Sequence, residues 1–402
     1  MPLPGRALRV LTVTHNYPRF PGDPAGAFVQ RIAAGAAARG HQVEVVAPHA
    51  PGTAPVEDTD GVRLQRFRYA PEPLEQVAYT GGLHQGTLLS PLAALGFPGF
   101  LFAFSRAVRH AVRRFRPDLI HAHWWFPGGW FASRQQVPYV ITCHGSDVRL
   151  LDLGELVRRA GRGVFQKAGS ITAVSNFLAN DLARLLPGLV PPPTVTPMPL
   201  DVAGFLAGAG TPKADPARIL YAGNLVQSKG VDVLLRAAAE LRRRGVGHQV
   251  KILGQGPAQN QLESLARELG IESQVTWSPF VPQALMPREY GASTVTVLPT
   301  RGQAEGLGLT LVEALLAGSA VVGTPAGGIP EVVLHEQTGL IAREGDPIDL
   351  ADQLQRLLSD PAQRERLTRA GKEHVLRTYS PEPAIGRFLD IYHAIADHHP
   401  DR

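Results

Sequence analysis

Residues 294–318 read TVTVLPTRGQAEGLGLTLVEALLAG, and this stretch decides the fold class. Its first five residues are β-branched or apolar and predict a buried strand. A loop with Gly306 and Gly308 follows, and the apolar pattern after it predicts a helix that runs to Ala317. A strand, a glycine-rich loop and a helix in this order are typical of an α/β protein with a parallel sheet.

The same alternation of strand and helix occurs twice along the chain. The predicted strands of the first round are 8–13, 41–47, 62–67, 119–121, 139–142 and 170–174. The second round begins with a strand at 218–221, a helix at 231–244 and a strand at 250–253. Between the rounds, residues 186–200 contain six prolines, which cannot continue a helix or lie in a central strand, so they predict a stiff connection.

We therefore predict two doubly wound, Rossmann-like domains, at 1–199 and 200–380, whose ligand-binding edges face each other across a central cleft. The last segment, 381–402, is predicted to be a helix that packs back on the N-terminal domain.

The composition excludes several classes of protein. A chain of 402 residues with 44% hydrophobic residues can bury two cores and is not disordered. Its one cysteine, Cys143, excludes an intramolecular disulfide and a cysteine-ligated zinc, and it fits a reducing, cytoplasmic location. The apolar stretch 88–104 is too short for a membrane span and contains two prolines and two glycines.

Charge is divided unevenly between the two halves. Residues 1–200 hold 20 Lys and Arg against 12 Asp and Glu, a net +8, whereas residues 201–402 hold 20 against 23, a net −3. The first half is therefore expected to meet an anionic partner such as a phosphorylated acceptor or a lipid headgroup. Nucleic acid is not expected, because the sequence has no recognisable nucleic-acid module or basic tail.

The loop at 305–308 has the features of an anion site. Glycines at a helix entrance let a phosphate approach backbone N–H groups, and the helix dipole favours the negative charge. Glu305 and Glu313 are eight residues apart and lie on roughly the same side of the helix, where carboxylates can accept hydrogen bonds from sugar hydroxyls. An ordinary surface glutamate remains the alternative for Glu313.

Several motifs together resemble one family. They are EGLGLTLVE at 305–313, AGSAVVGTPAGGIPEVV at 317–333, TGLI at 338–341, YAGNLVQSKGVDVLLRA at 221–237, LGQGP at 253–257 and HGSD at 144–147. This pattern resembles the retaining nucleotide-sugar glycosyltransferases of GT-B fold, family 4, over nearly the whole chain.

The resemblance implies a role for each matching residue of the donor site. Glu313 would hold the nucleotide ribose and Glu305 would lie by the donor sugar. The backbone amides of Gly306, Leu307, Gly308 and Leu309 would meet the distal phosphate.

Lys229 follows a loop that contains Gly223 and Asn224, and it is one of five lysines in the chain. Its ammonium would neutralise a diphosphate and stabilise the departing nucleotide, although a solvated lysine before a helix is the alternative. The family usually has an arginine directly after the glycine, and Asn224 brings a hydrogen-bond donor without a charge. The short run Gly254-Gln-Gly256 lacks the third glycine of a dinucleotide-binding loop.

In the first half, Gly26 ends a loop rich in glycine and proline, and the family has a glycine-rich ligand loop at this place. A plain strand-to-helix turn is the alternative. By resemblance, His144 reaches the donor sugar from the end of a strand, and Asp147 lies near the acceptor. His121 and His123 share one strand face, but no third metal ligand is visible, so we assign them to the strand end or the cleft lining and predict no metal.

Residues 101–116 place five arginines among apolar side chains at helical spacing. A solvated arginine face on a sheet-covering helix is one interpretation. Docking of 88–116 on an anionic membrane surface is the other.

These observations together predict a retaining hexosyltransferase that takes a UDP- or GDP-linked sugar to an acceptor hydroxyl, which is lipid-linked if the membrane interpretation holds. No cofactor is expected. A GT-B epimerase acting on a nucleotide sugar and a sugar-nucleotide-binding protein without catalysis are the alternatives.

Overall fold

The computed structural model describes residues 6–79, 91–279, 281–303 and 305–397. The chain divides into two compact units. Unit 1 is built from the chain up to Leu200 and from Pro381 onward, and unit 2 is Asp201–Ser380.

Unit 1 contains an eight-stranded sheet. Its strands are β1 (Arg9–Val13), β2 (Gln42–Pro48), β3 (Val56–Thr59), β4 (Val62–Phe67), β5 (Leu119–His123), β6 (Tyr139–Cys143), β7 (Ser170–Ala173) and β8 (Thr194–Val195). The strand order is β3-β4-β2-β1-β5-β6-β7-β8, and β3 runs antiparallel to β4 whereas the other pairs are parallel. The central strands β1, β5 and β6 are almost wholly buried, although β5 carries His121 and His123.

Unit 2 contains a six-stranded parallel sheet. Its strands are β9 (Arg218–Ala222), β10 (Gln249–Leu253), β11 (Val275–Ser278), β12 (Val295–Leu298), β13 (Ala320–Gly323) and β14 (Leu340–Ile341), in the order β11-β10-β9-β12-β13-β14.

Helices connect the strands. They are α1 (Ala27–Ala37), α2 (Pro91–Phe115), α3 (Trp130–Ala132), α4 (Ser146–Leu150), α5 (Glu155–Phe165), α6 (Asn176–Leu185), α7 (Val202–Leu206), α8 (Val231–Arg243), α9 (Gln259–Glu268), α10 (Met286–Ala292), α11 (Leu309–Leu316), α12 (Ile329–Val332), α13 (Pro347–Ser359), α14 (Pro361–Tyr379) and α15 (Pro381–Asp397). Single helical turns lie at Glu72–Leu74, Trp125–Gly129, Leu151–Leu153, Ala207–Gly210, Gln227–Lys229, Glu272–Gln274 and Gln283–Leu285.

Each sheet reverses its strand order at its first strand. In unit 1, β1 lies between β2 and β5, and in unit 2, β9 lies between β10 and β12. Connections on either side of such a strand diverge, which opens a crevice at the carboxyl ends of the strands. The predicted doubly wound α/β fold is confirmed in both units.

The sequence prediction missed the antiparallel edge strand β3, and two further features of unit 1 differ from it. Thr194 and Val195 lie within the proline-rich connection and pair with Thr172 and Ala173, so part of this connection is an edge strand. Edge strands tolerate nearby prolines because one side of the strand makes no ladder bonds. Helix α2 continues through Pro98 and is longer than the predicted segment at 101–116, whereas residues 88–90 of the predicted apolar stretch lie outside the described residues.

The C-terminal helix α15 packs within unit 1. A Cβ atom on Gly35 of α1 would lie 2.4 Å from the Ile385 side chain, so the glycine lets the two helices approach closely. Glu382 forms an ion pair with Arg39. The Tyr392 hydroxyl lies 2.6 Å from Nδ1 of His121 on β5, which ties α15 to the centre of the sheet.

Candidate functional site

In unit 2, the loops after β9 and β12 are packed tightly against each other. Gly230 adopts φ 68° at the start of α8, and a Cβ atom there would lie 1.9 Å from the carbonyl oxygen of Pro299. The amide of Arg301 donates to the carbonyl of Ser228 at 2.8 Å. Only glycine satisfies both the left-handed conformation and this close approach. The packing fixes the position of Lys229, which stands directly before Gly230.

Lys229 and Glu305 form an ion pair at this edge of the sheet. Nζ of Lys229 donates to Oε2 of Glu305 at 2.6 Å, and both side chains are 18% exposed. Oε1 of Glu305 accepts a hydrogen bond from the amide of Gly308 at 3.2 Å. The two groups that the sequence analysis assigned to diphosphate and sugar therefore bind each other here.

Helix α11 begins at this point because Gly308, at φ 88°, ends the loop in the left-handed conformation. The loop after β13 covers it from the other side. A Cβ atom on Gly327 would lie 1.8 Å from the carbonyl oxygen of Glu305, and one on Gly328 would lie 2.3 Å from that of Gly306. The side chain of Leu307 is buried, so this residue presents its backbone rather than its side chain.

Glu313 is held by a residue that the sequence analysis missed. The hydroxyl of Tyr290, on α10, donates to Oε2 of Glu313 at 3.0 Å. Tyr290 is 1% exposed, and burial together with the Glu313 carboxylate raises the pKa of its hydroxyl well above the ordinary value. Glu313 is half-buried with a fixed orientation, unlike an ordinary surface glutamate.

The loop after β9 places Gly223 and Asn224 next to the carboxyl end of β10. The Tyr221 hydroxyl donates to the carbonyl of Asn224 at 2.9 Å, and the Asn224 residue is exposed. A Cβ atom on Gly254 would lie 1.9 Å from the carbonyl oxygen of Gly223. The glycine run at 254–256 therefore serves loop packing.

In unit 1, aromatic and imidazole rings cluster at the carboxyl ends of β1, β5 and β6. The ring centroids of Trp124 and His15 are 4.3 Å apart, as are those of Trp124 and His144, and Phe28 of α1 lies 4.7 Å from His144. Trp124 adopts φ 63°, which is rare for a bulky residue and concentrates at functional sites.

Behind this cluster lies His123. Its Nδ1 is 3.1 Å from Nε2 of His144. Burial lowers the pKa of both rings well below the ordinary value, and the neighbouring histidines add to the effect. Both rings are therefore neutral at physiological pH.

Asp147 is buried and bonds backbone amides. The residue is 1% exposed, and its carboxylate accepts hydrogen bonds from the amides of His144 and Gly145, both at 3.0 Å, and of Trp125 at 3.1 Å. Burial raises the pKa of the Asp147 carboxyl, although the amides counteract this. Asp147 holds the loop that carries His144, and its predicted place near the acceptor stays a prediction.

His121 also differs from its predicted place at a strand end or in a cleft lining. It is fully buried, and Nε2 lies 2.7 Å from the hydroxyl of Thr142 while Nδ1 bonds Tyr392.

Cys143 is buried as well, and burial next to Asp147 raises the pKa of its thiol well above the ordinary value. Within the described ranges, no three His, Cys, Asp or Glu side chains group as a metal site would require.

Gly26 precedes α1 at φ 66°, and a Cβ atom there would lie 2.2 Å from the carbonyl oxygen of Asn16. The glycine is therefore needed for the turn itself. Asp23 shapes the same loop, since it accepts from Nε of Arg19 at 2.6 Å and from the amide of Ala25 at 3.1 Å.

Comparison with known proteins identifies the family. The family model for glycosyl transferases group 1 matches residues 208–374, and that for glycosyltransferase family 4 matches residues 25–203. A D-inositol 3-phosphate glycosyltransferase from Saccharomonospora viridis is 31% identical over 427 residues, covering 96% of this chain and 94% of the relative.

This chain belongs to glycosyltransferase family 4. A glycogen synthase from Mycobacterium tuberculosis (strain CDC 1551 / Oshkosh) is 27% identical over 401 residues and covers the same shares of the two chains. The solved structure of Anabaena HepE in complex with UDP-glucose aligns with a TM-score of 0.69 at 18% identity, over 95% of this chain and 99% of that chain. The fold is GT-B, and the chain is a glycosyltransferase that uses a nucleotide-sugar donor.

The sequence analysis of this glycosyltransferase missed Tyr290, Trp124 and Phe28, and it gave His123 no partner. The sequence held only a weak signal for these residues. Trp124 directly follows a strand, as does His144, but which strands are neighbours in the sheet cannot be read from local patterns.

Proposed function

We propose that this glycosyltransferase moves a hexose from a UDP- or GDP-linked sugar to an acceptor hydroxyl with retention of the anomeric configuration, in the synthesis of a glycolipid, polysaccharide or cell-envelope glycan. One observation carries the proposal. In unit 2 the strand order reverses at β9, which lies next to β12. Lys229 follows β9, and the amino terminus of α11 and the oriented carboxylate of Glu313 follow β12.

The diphosphate would use the donors that now bind Glu305. Phosphate oxygens and a carboxylate compete for the same partners, namely Nζ of Lys229 and the amide of Gly308. On binding, the distal phosphate would take these donors together with the other amides of 306–309. The carboxylate of Glu305 would then turn to a hydroxyl of the sugar.

The ribose hydroxyls would bind Glu313. Its carboxylate is oriented by the Tyr290 hydroxyl, which is supplied by a different helix, so little rotamer freedom is lost when a ligand binds. Asn224 stands exposed where relatives of this family usually have an arginine, and the diphosphate would therefore depend more strongly on Lys229.

Transfer with retention requires no protein nucleophile in this proposal. The acceptor oxygen bonds to the anomeric carbon on the face from which the phosphate oxygen leaves, and the departing phosphate takes the proton of the acceptor hydroxyl. Lys229 and the amides at the start of α11 stabilise the charge that develops on the leaving phosphate. His144 is neutral and contacts the sugar, and Asp147 holds its loop.

A donor and acceptor screen with product analysis tests the proposal. The named relatives suggest inositol phosphates and α-glucans as first acceptors, each combined with UDP- and GDP-sugars. Nucleoside diphosphate should appear only when an acceptor is present, and NMR of the product should show the anomeric configuration of the donor. An inverted product overturns retention. Conversion of the sugar without an acceptor favours an epimerase, and binding without turnover favours a non-catalytic protein.

We further propose that helix α2 docks on an anionic membrane surface, so that the acceptor is lipid-linked. Leu95 and Phe102 are 80% and 66% exposed, and the exposed Arg106, Arg109 and Arg113 continue the same helix face at spacings of three, four and seven residues. The helix contains no acidic residue. These three arginines have no ion-pair partner among the described residues, whereas Arg114 on another face pairs with Glu44.

No helix among the described residues is long and apolar enough to cross a membrane. Attachment through α2 would therefore be peripheral, with apolar side chains at one end of the face and headgroup-binding arginines at the other.

A further inference from the structure

The buried His123 ring has one nitrogen with a partner and one without. Nδ1 lies 3.1 Å from Nε2 of His144. Nε2 is buried and has no hydrogen-bond partner anywhere in the described part of the chain. Rings surround it, with the centroid of His121 at 4.1 Å and that of Phe28 at 6.3 Å.

His121 does not supply the missing hydrogen-bond partner of Nε2 of His123. Its two nitrogens are both within hydrogen-bond distance of hydroxyl groups, Nδ1 of Tyr392 at 2.6 Å and Nε2 of Thr142 at 2.7 Å. The chain of hydrogen bonds therefore breaks between His121 and His123, and His123 pairs with His144 alone.

Two neutral arrangements of the His123–His144 pair are possible. If His123 carries its proton on Nδ1, it donates to His144, and a bare lone pair is left at the buried Nε2. If His144 carries its proton on Nε2, it donates to His123, whose own proton must then sit on the buried Nε2 without an acceptor. Orphaned buried N–H groups are rarer in proteins than under-satisfied acceptors, so the first arrangement is favoured.

We propose that His123 is a positioning residue that fixes His144 in the tautomer with its proton on Nδ1, so that His144 offers an N–H donor to an oxygen atom of the sugar. The contact with the sugar rests on the function proposed above, whereas the tautomer does not. His144 is half-buried, and with Nε2 occupied by His123, Nδ1 is the ring nitrogen left for a ligand.

This assignment gives His144 a definite chemical role. A neutral imidazole with its remaining lone pair taken by His123 cannot act as a general base towards the substrate. It can orient a hydroxyl or ring oxygen of the sugar. A sugar that presents an ammonium group at the same position would be rejected, because two donors would face each other.

The tautomer is measured directly by ¹⁵N NMR of the full chain with ¹⁵N-labelled histidine. The His144 signals are assigned by their loss in His144→Gln. We expect a pyrrole-type shift at Nδ1 and a pyridine-type shift at Nε2 of His144. The reverse pattern overturns the proposal, whether or not transferase activity is found.

Variants of His123 test the consequence for the sugar. An asparagine amide reaches the position of Nδ1, so His123→Asn should keep KM for the sugar donor near the wild-type value. His123→Leu should release the tautomer and raise that KM about three- to tenfold, the range expected for one hydrogen bond, with a smaller change in kcat. Circular dichroism checks that both variants fold.

Equal losses in both variants, or a loss in kcat without an NMR change at His144, would show a merely structural role and overturn the proposal. If no nucleotide sugar is turned over by the wild type, the proposed function fails, but the NMR result still decides the tautomer.

Discussion

Lys229 and Glu305 neutralise each other, and we propose that each binds a different part of a nucleotide sugar. Their ion pair is only slightly exposed, with 18% exposure on each side, and Glu305 also accepts a hydrogen bond from the amide of Gly308, the residue directly before α11. A pair of this kind keeps a cation ready for a diphosphate without leaving an unpaired buried charge. Under the proposed function, binding of the donor replaces one anion, the Glu305 carboxylate, by another, the diphosphate, at Lys229.

Replacement of Lys229 by alanine should weaken binding of the nucleoside diphosphate. A charge-assisted hydrogen bond contributes about 1.5–3 kcal/mol, so the Kd measured by calorimetry should rise roughly 10- to 150-fold. Asn224→Arg should hold or raise the affinity. Lys251→Ala is the matched control, because Lys251 forms an ion pair with Glu289 at 2.8 Å and similar exposure. Tight binding by Lys229→Ala would contradict the assignment.

Variants of Glu313 should mainly affect donor binding, whereas variants of Glu305 should mainly affect turnover. Glu313→Ala should weaken donor binding by about 1–2 kcal/mol, and Tyr290→Phe should produce a smaller loss in the same direction, since it removes only the bond that orients Glu313. Glu305→Gln keeps an acceptor for the amide of Gly308 but loses the charge, so kcat should fall by on the order of tenfold or more. The nucleotide Kd should hold or fall, because a competitor for Lys229 is weakened. Wild-type kinetics in all three variants would refute the site.

At the scale of elements, the sequence predicted the strands, turns and helix starts that depend on local patterns. The strand at 294–298, the glycine turn before α11 and the start of α8 after Lys229 are indicated by residues close together in the chain. The contacts that hold the site are not local. Tyr290 reaches Glu313 from another helix, and His123 meets His144 because β5 and β6 are neighbours. The short strand β8 escaped prediction because proline dominates its surroundings.

Helix α2 should attach the protein to anionic vesicles. If Arg106, Arg109 and Arg113 each contribute about 1 kcal/mol, binding should fall as salt screens the surface, and neutral vesicles should bind poorly. Sedimentation at low and high salt measures this for the wild type and for the triple Arg→Gln variant.

The matched control removes the same charge from unit 2 by Arg→Gln changes at Arg236, Arg288 and Arg369, which are exposed. Equal sedimentation of the α2 variant and this control would favour a solvated face and a soluble acceptor.

At the scale of the whole molecule, the buried histidines concentrate pH sensitivity in unit 1, although burial also lowers the pKa of His248 in unit 2. His15, His121, His123 and His144 belong to this unit, and burial lowers the pKa of each, to about 3 for His15 and His121. Below pH about 6.5 the unfolded chain takes up protons at these positions and the folded unit does not. Their contribution to stability is therefore present above that pH and is lost as pH falls towards 3.

Urea unfolding should show this dependence. Well below pH about 6.5 each such histidine should lower the free energy of unfolding of unit 1 by about 1.4 kcal/mol per pH unit. Between pH about 7 and about 5.5, a comparison that avoids most carboxylate titration, the fall should total about 1.3 kcal/mol per histidine. Tryptophan fluorescence in a Trp277→Phe variant follows unit 1, which contains Trp124, Trp125 and Trp130. In His121→Gln, the fall in the free energy of unfolding with decreasing pH should be smaller by the share of one histidine. Equal stability at both pH values would contradict the expectation.

Unit 1 is closed by residues that are synthesised after unit 2. Unit 2 is one uninterrupted stretch, so all of its residues are joined to the chain before Pro381. Gly35 and His121 are covered by α15 in the folded unit. At ordinary rates of synthesis they remain uncovered for on the order of tens of seconds before that helix is made. During this time an apolar surface is open to chaperones. A gene fragment that encodes unit 1 alone must therefore carry residues 381–397 fused behind Leu200, and a stop codon near position 380 damages the half of the protein that was made first.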